Sequence, residues 1–425
     1  MAFPCNSLRA FLQHAKTNLF KAIHEEHNIN IVVGNESADL DSLTSSLLYA
    51  YINSIAPPRN NFSPLYVPLL NIPSSGLRLR PEFTAVCEHA NIPPDRLITL
   101  DDLPSQSMPL KSVRWILVDH NKLQGDLGYR YSSRVQGVID HHEEENAVPE
   151  NTDPEPRVIE KCGSCTSLVV RQCKTAWDCI SSSSLSTGAA HGQGEVAMDD
   201  SAVTQVWDAQ LAKMALASIL VDTANLTAPG KVEQVDRDSV DYLEAKIQMS
   251  SKDARKWDRD SYYKELDEAK RDISSLSLTE VLIKDYKGWT ESATNLGISS
   301  VVKPLEFLVQ KADEEKISSF EDQLQRFMDE RSLSIFAIMT TSTSPDGDFK
   351  RELLIEANSS ASSSAIKFAE QGASEFQLED VTIEGIPTPD QPGQHWRKTW
   401  LQKDVSKSRK QVAPLLRKAM KSTDG

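Results

Sequence analysis

This 425-residue chain has no continuous apolar stretch of bilayer length, which for a helix is roughly 20 residues. That excludes a helical membrane-spanning protein. The first twenty residues also lack the apolar core of a secretory signal. Arg9 and Lys16, with no acid before Glu25, leave a mitochondrial presequence as the minor reading. The same residues suit an ordinary first helix, and the cytoplasm is the expected compartment. Positive charge is in deficit. Lys and Arg number 46 against 61 Asp and Glu, for a net charge of −15. That balance argues against general nucleic-acid binding but admits an anionic substrate wherever cations gather locally. There are six cysteines. Cys162 and Cys165 have zinc-like spacing, but no second tight pair accompanies them, since Cys173 and Cys179 lie farther apart. Reduced, buried thiols are therefore expected rather than structural zinc.

What the chain does have is a set of short apolar segments that each stop on acids or imidazoles. Val135–Ile139 ends in Asp140–His141–His142. Ile29–Val33 runs into Gly34–Asn35–Glu36–Ser37–Ala38–Asp39–Leu40–Asp41–Ser42, and Trp115–Val118 runs into Asp119–His120–Asn121. A helical stretch, Ala215–Val221, leads to Asp222. The alternation of strand and helix through this half predicts a doubly wound α/β domain with a parallel sheet. In such a sheet the carboxyl ends of the strands open together into the ligand crevice. Asp39, Asp41, Asp119, His141, His142 and Asp222 would then converge, as oxygen and imidazole donors suited to a divalent ion. One acid before a helix is ordinarily an N-cap. Asp39 and Asp41, with Glu36 nearby, exceed what one cap requires. Asp222 at a helix C-terminus opposes the helix dipole, and a bound cation would relieve that conflict. Gly163–Ser167 forms a helix mouth that can cap itself or offer N–H groups to an anion.

The length admits two or three domains. Pro229–Gly230 marks the expected boundary. Residues 1–228 form the first domain, with a Ser- and Gly-bearing flexible insertion at about 180–202. Residues 229–250 are a linker and helix, and 251–425 a second, smaller α/β domain. Leu65–Leu70 reads as a strand whose Pro68 places it at a sheet edge, and Leu97–Leu100 as a further strand. From His395 to Lys421 the charge inverts, with nine Lys or Arg, one Asp, and Trp396 and Trp400 between them.

The four segments around Asn35–Ser42, Asp119–Asn121, Asp140–His142 and Asp222 resemble, in order, the motifs of the DHH phosphoesterase superfamily. Lys284–Trp289 is similar to the lysine-bearing motif of the DHH-associated C-terminal domain, and Ser408–Pro414 to its Ser-Arg-Lys motif. The resemblance spans nearly the whole chain. Within the superfamily, family II inorganic pyrophosphatases carry histidine where this chain has Asn35. The Gly-Asn-Glu-Ser-Ala-Asp-x-Asp-Ser form looks like the fungal-type exopolyphosphatase, with prune-type proteins as further relatives. The resemblance implies an active site in the cleft between the two domains and a two-cation centre of Mg²⁺ or Mn²⁺. Asp41, Asp119, His141 and Asp222 would hold one ion. Asn35, Asp39 and a bridging Asp119 would hold the second. His142 would face the substrate phosphate, and His120 would orient Asp119. Lys287, Arg409 and Lys410 would bind the anion. The implied reaction is release of terminal orthophosphate from linear polyphosphate by in-line attack of metal-activated water. A pyrophosphatase or short-chain phosphatase is the alternative. A monomer without nucleic-acid or membrane partners is the implied state.

Overall fold

The computed structural model describes residues 7–104, 108–190, 194–291, 294–344, 347–387 and 395–421, without side chains for 183–190 and 194–202. The chain divides into two compact units, Met1–Lys270 and Arg271–Gly425. Among the described residues, no helix is long and apolar enough to cross a membrane.

In the first unit the elements are α1 (Leu8–Glu25), β1 (Ile29–Val33), α2 (Leu40–Ile55), β2 (Tyr66–Leu69), α3 (Pro81–His89), β3 (Val113–Val118), α4 (Gly125–Tyr131), β4 (Val135–Asp140), β5 (Arg157–Ile159), α5 (Cys165–Ala190), α6 (Gly194–Asp222), α7 (Gln234–Met249), α8 (Ser251–Ala254) and α9 (Arg259–Arg271). The sheet order is β2-β1-β3-β4-β5, and every pairing is parallel. This is the expected doubly wound sheet. β1 is buried along its whole length, as a strand covered by helices on both faces must be. Pro68 lies on β2 at the sheet edge, where a missing N–H costs no ladder bond. The strand expected at Leu97–Leu100 is reduced to one bridge, Leu70 to Thr99, followed by a 3₁₀ turn at Leu100–Asp102. Thr99 and Asp102 form a reciprocal capping box that stops an extended strand there.

The strand order reverses between β1 and β3. The loop after β1 and the loop after β3 therefore part to opposite sides and leave a crevice between them. Asn35–Asp39 and Asp119 stand at that switch point.

The first unit reaches past Pro229–Gly230. Val240, Leu243 and Ile247 of α7 and Tyr262 and Leu266 of α9 belong to its hydrophobic core. Their amphipathic faces need that core for burial, so the stretch expected as a linker is a packed part of it. Most of the expected insertion at about 180–202 lies outside the residues whose side chains are described. α5 ends at Ala190 and α6 begins at Gly194, with 191–193 outside the description.

The second unit contains α10 (Leu278–Lys284), β6 (Tyr286–Glu291), β7 (Thr294–Val301), α11 (Leu305–Glu315), α12 (Phe320–Glu330), β8 (Ile335–Thr340), β9 (Ser342–Thr343), β10 (Phe349–Asn358), α13 (Ser362–Glu375), β11 (Leu378–Asp380), β12 (His395–Gln402) and α14 (Arg409–Lys421). Its mixed sheet runs β11-β12-β10-β8-β7-β6, with β9 paired to β10. Phe368 and Phe376 from α13 and its end, and Val412 and Leu416 from α14, pack on one sheet face. The basic run of the last thirty residues is not one solvated face. Arg397 is buried against Glu356, Lys398 pairs with Asp380, Lys403 with Glu379, and Arg417 and Lys421 with Glu291.

Candidate active site

The loop after β1 is held in shape by its own polar groups. Asp39 caps α2 by accepting from the Ser42 N–H at 3.1 Å. That settles which of the two acids is the cap and leaves Asp41 in the first turn for another task. Ala38 is in the left-handed region, at φ 41°. Buried Arg80 steadies this turn, donating from Nε to the Ala38 carbonyl at 2.8 Å and from Nη2 to the Ser37 carbonyl.

Asp119 follows β3 directly, with φ at 61°, a conformation an aspartate tolerates better than most residues. Its Oδ2 accepts from Asn35 Nδ2 at 2.6 Å and from Ser42 Oγ at 2.8 Å. Asn35 Oδ1 in turn accepts from Ser37 N–H at 2.9 Å and Ser37 Oγ at 2.6 Å. The Ser37 N–H can only donate, which fixes the orientation of the amide. Both ends of Asn35 are thus engaged within the protein.

Asp41 is buried and accepts four hydrogen bonds, three of them at Oδ1. Its Oδ1 accepts from Ser164 Oγ, Thr166 N–H and Thr166 Oγ at 2.7, 2.9 and 2.8 Å. Its Oδ2 accepts from Cys165 N–H at 2.7 Å. The helix mouth at Gly163–Ser167 does receive an anion, and that anion is the Asp41 carboxylate itself. Beneath it, Thr44, Ser45, Thr166 and Ser218 share hydroxyl hydrogen bonds of 2.7–2.9 Å and tie α2, α5 and α6 together.

His141 Nδ1 pairs with the Cys162 carbonyl at 3.1 Å. A carbonyl only accepts, so Nδ1 carries a proton and Nε2 is the nitrogen turned toward the acids. That nitrogen faces Asp119 Oδ1 at 3.3 Å and Asp41 Oδ2 at 3.8 Å. Two buried carboxylates facing one imidazole nitrogen call for positive charge between them, which a proton on Nε2 or a bound cation supplies. A backbone carbonyl behind a ligating imidazole is also the usual outer partner at metal sites. Asp119, His141 and His142 each bring one donor atom within 4.8 Å of the others.

His142 Nδ1 donates to Asp140 Oδ1 at 2.7 Å and lies 3.8 Å from Asp119 Oδ1. Asp140 is completely buried and was not singled out as a site residue from sequence. Asn121 Nδ2 donates to its other oxygen at 2.6 Å. Burial pushes the Asp140 carboxyl up, but the hydrogen bond and charge of His142, the charge of His141 and the Asn121 amide outweigh it. The net position is far below the usual carboxylate range. Its place inside the Asp-His-His triplet was the available signal. His120, expected to orient Asp119, pairs through Nδ1 with the Val118 carbonyl at 2.9 Å.

Asp222 is the last residue of α6. Burial raises its carboxyl pKa, Lys231 and Lys270 oppose this, and the charges of Asp41 and Asp39 reinforce it. The acids are therefore electrostatic neighbours. Ala224, Asn225 and Leu226 follow in the left-handed region at φ 48°, 54° and 64°. Each such residue costs about 1–2 kcal/mol, and strain of this kind clusters at functional sites. Lys231 Nζ donates to the Asp222 carbonyl at 2.6 Å.

The other expected residues lie in the second unit. Lys287 is half-buried on β6. Arg409, at the start of α14, donates to the Asp285 carbonyl at 2.8 Å and to its Oδ1 at 2.7 Å. Asp285 sits two positions before Lys287, so the two motifs meet within this unit. Lys410 is exposed. Ser408 and Gln411 are joined by a 2.9 Å bond from Ser408 N–H to Gln411 Oε1, one half of a capping box. Helix capping therefore accounts for both of those motif positions.

The model of the DHH family N-terminal domain matches residues 30–192, and that of the DHHA2 domain residues 264–419. A Schizosaccharomyces pombe protein named "Putative exopolyphosphatase" is 30% identical over 93% of this chain and 91% of its own length. The chain belongs to the DHH phosphoesterase superfamily. It is a hydrolase of that superfamily. It is also similar to "Exopolyphosphatase PRUNE1" of Homo sapiens, at 26% identity over 79% of this chain and 64% of that one. The crystal structure of a Methanococcus jannaschii "putative family II inorganic pyrophosphatase" matches 92% of this chain and 99% of its own, with a TM-score of 0.54 and 18% identity. That likeness shows a shared fold.

Proposed function

We propose that this chain is an exopolyphosphatase, which hydrolyses the terminal phosphoanhydride bond of linear inorganic polyphosphate and releases orthophosphate. The observation that carries the reading is His141 Nε2 held between the Asp41 and Asp119 carboxylates at the switch point of the sheet. The name of the S. pombe relative and the amide at Asn35, where the pyrophosphatases carry histidine, support polyphosphate as the substrate.

Asp41, Asp119, His141 and Asp222 would hold one divalent cation. Oxygen donors with a single imidazole suit Mg²⁺ or Mn²⁺. A divalent cation, when bound, neutralises phosphoryl oxygens and lowers the pKa of water in the site. Asp39, Asn35 and Asp119 would form a second site. Asn35 and Ser42 already donate to Asp119 Oδ2, which would make this second site the weaker one.

The residues supply the rest. Asp140 holds the proton at His142 Nδ1 and stabilises positive charge on that ring. His142 Nε2 can then meet a phosphoryl oxygen as charge develops on it. Lys287, Arg409 and Lys410 would bind the anionic chain, and Asp285 keeps the Arg409 fork in a fixed plane. Water is the attacking group, in line with the leaving phosphate, and no serine or cysteine nucleophile is used. The cytoplasm is the proposed compartment and a monomer the proposed state.

The test compares orthophosphate release from long polyphosphate and from pyrophosphate at equal phosphorus, with and without chelator. Chelator-sensitive release that is faster from the long chain is expected. Faster hydrolysis of pyrophosphate would make the protein a pyrophosphatase, and release that ignores chelator would remove the metal from the scheme.

A further inference from the structure

We infer that Asp236 of α7 is a positioning residue for the cation site, acting through the turn that holds Asp41. Asp236 is completely buried. Its Oδ2 accepts from Gly163 N–H and Glu233 N–H, both at 2.8 Å. Its Oδ1 accepts from Ser167 Oγ at 2.6 Å and Ser164 N–H at 3.3 Å. Helix capping accounts for one of these four bonds, the one to Glu233, three residues back. The other three reach some seventy residues back, to the turn at Gly163–Ser167.

That turn carries every donor that Asp41 uses. Ser164 is held by its N–H to Asp236, while its Oγ donates to Asp41. Cys165 and Thr166, between the two Asp236-bound serines, give their N–H groups to Asp41. The two carboxylates thus grip opposite sides of one turn, with Asp41 on the cation side and Asp236 on the α7 side. Approach is close enough to require glycine at 163. A Cβ there would stand 2.8 Å from Asp236 Oδ2 and 2.5 Å from Thr223 Cγ2. Thr223 follows Asp222, so the same contact links Asp236 to the neighbourhood of a second expected ligand. With both oxygens doubly hydrogen-bonded, Asp236 sets where the N–H groups of the turn point. Through them it sets which lone pair of Asp41 Oδ2 is left facing His141.

This inference rests on the cation reading of Asp41 and His141. It is tested by titrating Mn²⁺ into the full-length protein by calorimetry, alongside thermal unfolding in chelator. Asp236→Asn must turn an amide nitrogen toward two N–H donors or toward Ser164 and Ser167, and so displaces the turn. Outer partners of metal ligands change affinity by about 10- to 100-fold, and a loss in that range is expected. Ser167→Ala deletes one of the four bonds. It is expected to weaken Mn²⁺ by about two- to fivefold, and it carries the test if the asparagine variant does not fold. The control is Asp208→Asn. Asp208 is another buried acid of this unit, bonded to Trp177 Nε1 and Ser181 Oγ and not to the turn. It should lower the unfolding temperature while leaving Mn²⁺ affinity within a factor of about two. Unchanged Mn²⁺ affinity in the Asp236 and Ser167 variants, or equal weakening in the Asp208 control, overturns the inference alone. No saturable Mn²⁺ binding by the parent protein overturns the cation reading and this inference with it.

Discussion

Replacing Asp119 by asparagine separates folding from cation binding in this site. Asp119 Oδ2 receives hydrogen bonds from Asn35 and Ser42, and Oδ1 faces His141 Nε2 at 3.3 Å. An asparagine side chain fits that environment with one orientation. Its carbonyl oxygen takes the Oδ2 position and keeps both incoming bonds. Its NH₂ then points at His141 Nε2, to which it donates when that nitrogen carries no proton. Asparagine also accepts the left-handed backbone at this position. One hydrogen bond is gained, worth about 0.5–1.5 kcal/mol net, and a buried negative charge near Asp41 is removed. For a unit of this size each kcal/mol moves the midpoint by about 2–4 °C. In chelator, Asp119→Asn should therefore unfold about 1–6 °C above the parent protein. Activity should move the other way. His141 Nε2 is now occupied by a donor, and one charged ligand is lost. Orthophosphate release from polyphosphate should fall by a factor on the order of 10³ or more, equal to about 4 kcal/mol of barrier. Differential scanning calorimetry in chelator and phosphate release in excess Mg²⁺ read the two effects separately. Activity within tenfold of the parent would refute the cation role of Asp119. A lower unfolding temperature would mean that a proton on Nε2, shared with Asp119, stabilises the parent instead.

Asn35→His removes the amide bonds to Asp119 and Ser37 and adds an imidazole. The expected result is a metal preference shifted toward Mn²⁺ and faster hydrolysis of short substrates, and an unchanged metal profile counts against this role for the amide. Glu155 is buried between Tyr49 and Tyr66, whose hydroxyls donate to it at 2.7 Å each. Burial raises its pKa against the effect of the two tyrosines and Arg114. A raised folded pKa means stability that is full below the ordinary glutamate value and lost as pH climbs through the folded one. Glu155→Gln has no proton to lose there, so its unfolding temperature should gain on the parent's as pH rises above the ordinary glutamate value, and a pH-independent difference would contradict the shift. Lys287→Gln should raise KM for polyphosphate by about tenfold with a smaller change in kcat; a pure kcat effect would place the lysine at the transition state instead.

The parallel sheet of the first unit could be read from apolar runs such as Ile29–Val33 and Val135–Ile139, because a strand covered on both faces has no room for polar side chains. The gathering of Asp41, Asp119 and His141 at its carboxyl edge followed from the same pattern of acids and imidazoles placed directly after buried strands. Sequence could not say which of Asp39 and Asp41 caps α2. Both spacings suit a cap, and only the position of the turn at Gly163–Ser167, far along the chain, decides it. Nor could it show that this turn spends its N–H groups on Asp41 rather than on a substrate phosphate. The end of the first unit was misplaced at Pro229–Gly230 for a similar reason. A turn signal is local, whereas membership of a core depends on which face α7 and α9 bury. Asp140 and Asp236 were overlooked because a buried acid and an exposed one are written with the same letter. What the sequence alone determined is the order of buried strands and the donors placed at their ends, which hydrophobic patterning encodes residue by residue. Which acid is left turned toward His141 and which braces its neighbour was decided by hydrogen bonds between residues tens to more than a hundred positions apart, and only the folded chain brings those together.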